Sequence, residues 1–148
     1  AGWQGGSWAP KFLSMTLMVQ KEVAQRITAL AGEKYYGRLA VLAGWLSEAR
    51  IAFDVDRQVF VPPPKVTSAI IDLRPRAQPL AKANPQNLSK LTAAAFGQRR
   101  KMLRASLKQI SSDPQALLAA AGIAETTRAE QLTIDQFCAL ANLWKPSA

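Results

Sequence analysis

The sequence predicts an α/β front over residues 1–75, a linker over 76–86 and an all-α back over 87–148. Up to Pro75, short apolar or alternating runs trade places with stretches of helical spacing, the mark of strands mixed with helices. The linker, "RAQPLAKANPQ", is polar and proline-marked and has no apolar period. Past it, apolar residues fall into helical stripes bounded by capping residues.

In chain order, "AGWQGGSWAP" is loop-like, with glycines and a proline around Trp3 and Trp8. "FLSMTLMV" is a short apolar run rich in strand-compatible residues and reads as a buried strand. "QKEVAQRITAL" spaces Val23, Ile27 and Leu30 for one helix face, and Gly32 follows where a helix C-terminus favours glycine. In "YGRLAVLAGWL", Leu39, Leu42 and Leu46 make a second stripe. "ARIAFDV" alternates Ile51, Phe53 and Val55 as a strand does, and "TSAIIDLRP" is a further strand stopped by Pro75. Three strands with two helices make a thin sheet whose faces need more cover than the sequence supplies, the look of part of a domain.

The back is helical throughout. Leu88, Leu91, Ala95 and Phe96 form one stripe, and Leu103, Leu107 and Ile110 another. Asp113 before Pro114 is an N-cap with a first-turn proline, and Gly122 is a stop. Thr133 with Gln136 gives a capping box ahead of Phe137, Leu140, Ala141 and Trp144. Cys138 lies among these and reads as a small buried side chain. As the only cysteine, it leaves no internal disulfide.

Half of the 148 residues are hydrophobic (49%), enough for a core, while the net charge is +9. That balance points to polyanions: nucleic acid first, an anionic membrane surface second. Histidine is absent, which removes the usual general base, the usual zinc ligand and any Ser-His-Asp arrangement. No long apolar run and no basic-then-apolar leader occurs, so a cytoplasmic chain without a membrane partner is expected. No glycine-rich phosphate loop is visible, and Glu22 and Glu48 lack a second carboxylate at useful spacing.

Two local patterns carry chemistry. Between Asp72 and Asp113 there is no acidic residue, while Arg74, Arg76, Lys82, Lys90, Arg99, Arg100, Lys101, Arg104 and Lys108 all occur. On one helix, Arg100, Arg104 and Lys108 would share a face, with Lys101 beside them. Solvated faces normally mix both signs, so a one-sign face favours a nucleic-acid surface over plain solvation. The second pattern is "QVFVPPPKVTSAIIDL", residues 58–73. Pro62, Pro63 and Pro64 cannot belong to a central strand, and they stiffen the approach to the next one. Such a segment either spaces two elements or holds Phe60 at a fixed place.

Four segments in order, "MTLMVQKEVAQRI", "YYGRLAVLAGW", "FVPPPKVTSAIIDL" and "AAFGQRRKMLRASL", resemble the bacterial ribosomal RNA adenine dimethyltransferases. The family pattern F-x-P-x-P-K-V-x-S is met by Phe60, Pro62, Pro64, Lys65, Val66 and Ser68. The pattern Q-R-R-K-x-L-R-x-S-L is met by Gln98, Arg99, Arg100, Lys101, Leu103, Arg104, Ser106 and Leu107. The resemblance covers nearly everything from about Phe12 onward.

It implies the C-terminal part of a Rossmann-like methyltransferase sheet, from near its fifth strand, followed by a small helical domain. It also implies methyl transfer from S-adenosylmethionine to two adjacent adenines near the 3′ end of small-subunit ribosomal RNA. Phe60 would stack on the target base. The candidate RNA contacts are Arg99, Arg100, Lys101, Arg104 and Lys108, with Lys65 behind the prolines. The glycine-rich cofactor loop, the ribose-holding acidic residue and the N-L-P-Y-type motif are expected to be missing. S-adenosylmethionine is therefore expected in the complete protein and not on this chain alone. The expected partner is the small ribosomal subunit, with no metal and a monomeric chain. A non-catalytic ribosomal RNA-binding module acting in subunit assembly is the alternative. For a DNA-binding protein, no recognition-helix pattern stands out.

Overall fold

The computed structural model describes residues 9–146, and the loop expected around Trp3 and Trp8 falls outside them. The elements are β1 (Met15–Gln20), α1 (Lys21–Thr28), α2 (Arg38–Leu46), β2 (Ser47–Val55) and β3 (Ser68–Pro75), then α3 (Pro85–Gly97), α4 (Leu103–Ser106), α5 (Pro114–Ala120) and α6 (Ile134–Leu143). Strands mix with helices up to Pro75, and the named elements beyond it are all helical.

β3 lies between β1 and β2 and is antiparallel to both. Ile71 stands opposite Leu17 on one side and Ile51 on the other. A bulge follows Ile51, so that Phe53 stands opposite Ile70 rather than on the face of Ile71. The alternation expected for Ile51, Phe53 and Val55 breaks there, and Phe53 is 60% exposed. One face is closed by α1, where Ala24 packs with Ala69 and Ile71, fringed by Val19, Ile27, Ile51 and Leu73. The other face carries Met18, Ile70 and Phe53, then Asp72, whose Oδ2 lies 3.2 Å from Arg50 Nη2 and 3.4 Å from Arg74 Nε.

Three local expectations need correction. "FLSMTLMV" is not a buried strand: only Met15–Gln20 is strand, it forms the sheet edge, and Leu13 outside it is 96% exposed. α1 ends at Thr28 because Ala29 turns extended (ψ 143). Gly32 belongs instead to the following turn, with φ +88 and its N–H donated to the Glu130 carbonyl at 2.8 Å. On α2 the buried stripe is Ala40, Val41 and Trp45. Of the expected leucines, Leu42 and Leu46 pack at the rim of the core, and Leu39 is 44% exposed.

The larger core joins α2 to the helices beyond the linker: Tyr36, Val41 and Trp45 pack with Leu88, Leu91, Leu103, Leu107, Phe137 and Leu140. Its polar groups are paired. The Tyr36 hydroxyl donates to the Leu132 carbonyl at 2.8 Å, and the Trp144 indole N–H to that of Ile110 at 3.0 Å. Linker residues 76–83 have no regular structure but are pinned, with Arg76 N donating to Leu46 O at 2.9 Å and Leu80 N to Trp45 O at 2.8 Å.

The expected caps form. Asp113 Oδ1 accepts from Ala116 N at 2.9 Å. Gly122 (φ +68) ends α5 while Ile123 N reaches Leu118 O at 2.9 Å, the Schellman arrangement. Thr133 and Gln136 bond reciprocally ahead of α6.

Leu103 is fully buried, so Leu103→Ala should cost roughly 2–5 kcal/mol by urea denaturation, whereas Leu13→Ala should be near neutral. A second outcome concerns pH. Burial, with Asp135 nearby, pushes the Cys138 thiol from 9.0 up to about 12. Burial, with Cys138 nearby, pushes the Tyr36 phenol from 10.0 up to about 12. Both groups stay protonated in the folded chain while the unfolded chain sheds their protons first, so stability should fall as pH rises above about 9. In Cys138→Ala that decline should set in later and be shallower, read from the urea midpoint against pH.

Candidate nucleic-acid interface

The basic run does not lie on one helix. α3 ends at Gly97, and Gln98 leaves helical geometry (φ −127, ψ 61). A turn follows, in which Lys101 N donates to Gln98 O at 2.8 Å. Met102 then bridges Arg128, and Leu103 N donates to Thr127 O at 2.8 Å. α4 has only four residues before a 3-10 turn at Leu107–Gln109. Arg100 is therefore on the turn, Arg104 in α4 and Lys108 in the 3-10 turn, and the face expected to align all three is not formed. Backbone pairing with residues 127–128 replaces the helical bonds that four-residue spacing presumes. Leu103 and Leu107 keep their buried positions, and Arg104 and Lys108 stay exposed.

The charges are also less one-signed than the sequence window suggests. Arg99 Nη2 donates to the Lys34 carbonyl at 2.5 Å, and its Nε lies 3.5 Å from Glu130 Oε2. Arg104 Nη1 lies 3.3 Å from Glu125 Oε1. Both carboxylates come from beyond Asp113, outside the acid-free window. Arg100, Lys101 and Lys108 are exposed, and among the described residues none of them has a carboxylate within 4.0 Å. Lys65, Lys82 and Lys90 are likewise exposed with no carboxylate within that distance among the described residues, so these charges are unanswered within the chain.

Phe60 and Lys65 sit on the β2–β3 connection. Asp56 opens a 3-10 turn at Arg57–Val59, its side chain accepting from Gln58 N at 2.8 Å. Phe60 N then donates to Arg57 O at 3.3 Å, and the Val61–Pro62 peptide is cis. Phe60 is half-buried, whereas Val61 beside it is 99% exposed. The ends of the connection are tied to the start of α1, with Lys21 Nζ 2.6 Å from Asp54 Oδ2 and Lys21 N donating to Thr67 O at 2.9 Å. Lys65 is exposed.

Of the candidate residues, Arg99 alone lines a cleft of about 550 Å³ between α1, α2 and the end of α3, which Phe60 does not line. There it meets two arginines that the linear reading left out, Arg26 on α1 and Arg38 at the start of α2. Neither belongs to a basic run, so no linear signal marks them and only the packing of α1, α2 and α3 brings them together. Lys108 lines a different, shallower hollow with Lys90 and Trp144. Among the described residues no group of three His, Cys, Asp or Glu side chains is placed to hold a metal ion, and no helix is long and apolar enough to cross a membrane.

A family model described as "Ribosomal RNA adenine dimethylase" matches residues 9–145. The ribosomal RNA small subunit methyltransferase A of Xanthobacter autotrophicus is 61% identical over 135 residues, or 91% of this chain and 46% of that protein. Its counterpart in Azorhizobium caulinodans is 58% identical over 135 residues, again 91% of this chain and 46% of that protein. In Rhizobium meliloti the identity is 56% over 137 residues, 93% of this chain and 49% of that protein. The chain spans about half the length of the curated relatives it matches. Among solved structures, a dimethyladenosine transferase from Plasmodium falciparum has the same fold, with a TM-score of 0.71 at 24% identity over 88% of this chain and 56% of that one. The 23S rRNA methyltransferase ErmE gives 0.61 at 28% identity over 91% and 56%.

Replacing Arg100, Lys101 and Lys108 together with glutamine should flatten the slope of log affinity against log salt by roughly two units for any RNA. Circular dichroism should stay unchanged, because glutamine keeps length and helix propensity. Arg104→Gln, whose charge Glu125 already answers, should change the slope less. Fluorescence anisotropy at several salt concentrations reads both.

Proposed function

Because the chain belongs to the ribosomal RNA adenine dimethylase family, we propose that it is part of an enzyme that dimethylates two adjacent adenines near the 3′ end of small-subunit ribosomal RNA. The small-subunit assignment follows the names of the curated relatives. Residues 1–75 then form the last strands and helices of the methyltransferase domain, and residues 87–148 a helical RNA-binding domain, joined by 76–86. The partner is small-subunit ribosomal RNA in the cytoplasm, met through Arg99, Arg100, Lys101, Arg104, Lys108 and Lys65.

The observation that carries this reading is the placement of Phe60. A half-buried aromatic stands between exposed valines, with a capped turn before it and three prolines after it. An adenine amine inside a helix is out of reach, so the base must leave its stack, and an aromatic wall offsets part of that cost. A ring that flexed would lose the orientation the reaction needs. Proline stiffens the loop without requiring ladder hydrogen bonds, and the Lys21–Asp54 pair and the Lys21–Thr67 backbone bond fix its ends.

In the complete enzyme, S-adenosylmethionine would supply the methyl group. The residues described do not fit that cofactor by themselves. Glycines stand singly at Gly32, Gly37, Gly44, Gly97 and Gly122, and β1 passes into α1 through Gln20 and Lys21 without a glycine turn. What these residues contribute is the base-stacking wall and the cationic surface for the RNA.

Phe60→Ala in the complete enzyme should lower methylation by about 5- to 150-fold, the loss of a base stack worth about 1–3 kcal/mol. Phe60→Trp should restore much of it. Thermal stability should move little in both. A melting-temperature loss that tracks the activity loss across both variants would mean that Phe60 only packs the loop.

A further inference from the structure

The cleft between α1, α2 and the end of α3 combines two features that plain solvation does not explain. Three arginines, Arg26, Arg38 and Arg99, line it together with the apolar Leu39, Leu42 and Phe96. Its volume of about 550 Å³ lies within the roughly 300–1,000 Å³ of small-ligand sites. Leu39 is exposed there although it flanks an arginine on a short helix. The wall is firm: Phe96 is held edge-on to Tyr36 at 6.0 Å between centroids and against Phe137 at 5.5 Å. Tyr35 also lines the cleft, with Lys34 Nζ 5.1 Å from its ring centroid.

The guanidiniums differ in how firmly they are held. Arg99 is fixed by the Lys34 carbonyl and Glu130. Arg26 is paired at 2.6 Å with Glu22 one helical turn away, both exposed. Such surface pairs exchange readily for a better anion. Arg38 Nη2 donates to Ser89 Oγ at 2.8 Å and has no carboxylate within 4.0 Å among the described residues. Its fork therefore keeps most of its donors for a planar anionic group such as phosphate.

Resting on the proposed RNA function, we propose that this cleft is a subsite for one unpaired nucleotide of the RNA. Its phosphate would lie on Arg38, flanked by Arg26 and Arg99, and its base against Tyr35, Phe96 and Leu39. A duplex keeps its bases stacked away and cannot seat a nucleotide in the cleft, whereas an unpaired nucleotide presents phosphate and base together. Stacking on such a wall tolerates any base, so the subsite reads strandedness rather than sequence. It is separate from the Phe60 loop, because Phe60 does not line it.

The test uses the full 148-residue chain and two RNA hairpins, one fully paired and one with a single bulged fluorescent purine. The wild type should bind the bulged hairpin about tenfold more tightly and quench its fluorophore, the scale of one base stack. Arg38→Gln and Tyr35→Ala should each remove that preference and the quenching while leaving affinity for the paired hairpin within about twofold. Arg100→Gln with Lys108→Gln should weaken both hairpins alike. Adenosine monophosphate should compete away the preference where equimolar inorganic phosphate does not. Equal affinity for the two hairpins, unchanged in Arg38→Gln, would overturn the subsite and leave the RNA function standing. Failure of the wild type to bind either hairpin would overturn both.

Discussion

Trp45, in the last turn of α2, has 2% of its surface exposed, and its indole N–H donates to the Ala81 carbonyl at 2.7 Å. The backbone carbonyl of Trp45 accepts from Leu80 N at 2.8 Å. One residue thus fills the main core and also captures the irregular segment that leads to α3. An indole of this size contributes heavily to burial, and its single donor must find a partner when it is taken out of water. With α2 anchored this way, the front of the chain shares a core with the helices behind it. The positions of Arg38, Phe96 and Arg99 around one cleft follow from that packing. A Cβ at Gly44 would stand 2.7 Å from Ile134 Cδ1, so the end of that side chain would have to shift to admit one.

The sheet obeys a different balance. α1 covers only one of its faces, and the second carries Met18, Ile70 and Phe53 beside the ion pairs of Asp72. β1 pairs with β3 along one edge. Such a sheet holds its strands by ladder bonds and a small core, while the larger core carries most of the apolar burial. The proposed role of Phe60 would therefore rest on local devices in the β2–β3 connection rather than on deep packing.

Much of the fold was legible from local signals. Asp113 with Pro114, Gly122, and Thr133 with Gln136 each marked a helix end that the structure confirms, because capping is decided within a few residues. Where the outcome depended on distant partners, the sequence misled. Leu42 and Leu46 do reach the rim of the core, yet α2 turns Ala40, Val41 and Trp45 fully inward and leaves Leu39 exposed, because α3 and α6 lie there. Nothing in "QRRKMLRASLK" announces that Met102 and Leu103 would pair with residues 127–128 and break the helix. For the candidate interface, the cations themselves were legible, whereas the carboxylates of Glu125 and Glu130 that answer two of them were not. Nor were Arg26 and Arg38, which reach the cleft only through tertiary packing.

On the proposed reading, both candidate surfaces would serve a single task, holding RNA while one base is drawn from its stack. The exposed cations would supply attraction that is indifferent to sequence, and Phe60 would offer a place for the extruded base. The choice of RNA is the central claim, since the curated relatives are named for the small subunit and ErmE for 23S RNA. The most direct measurement incubates the complete enzyme with labelled S-adenosylmethionine and a mixture of both unmodified ribosomal subunits, then maps the label by nuclease digestion. The account predicts dimethyladenosine at two adjacent positions near the 3′ end of the small-subunit RNA and none in the large-subunit RNA. Label confined to the large-subunit RNA, or spread over many adenines, would contradict it.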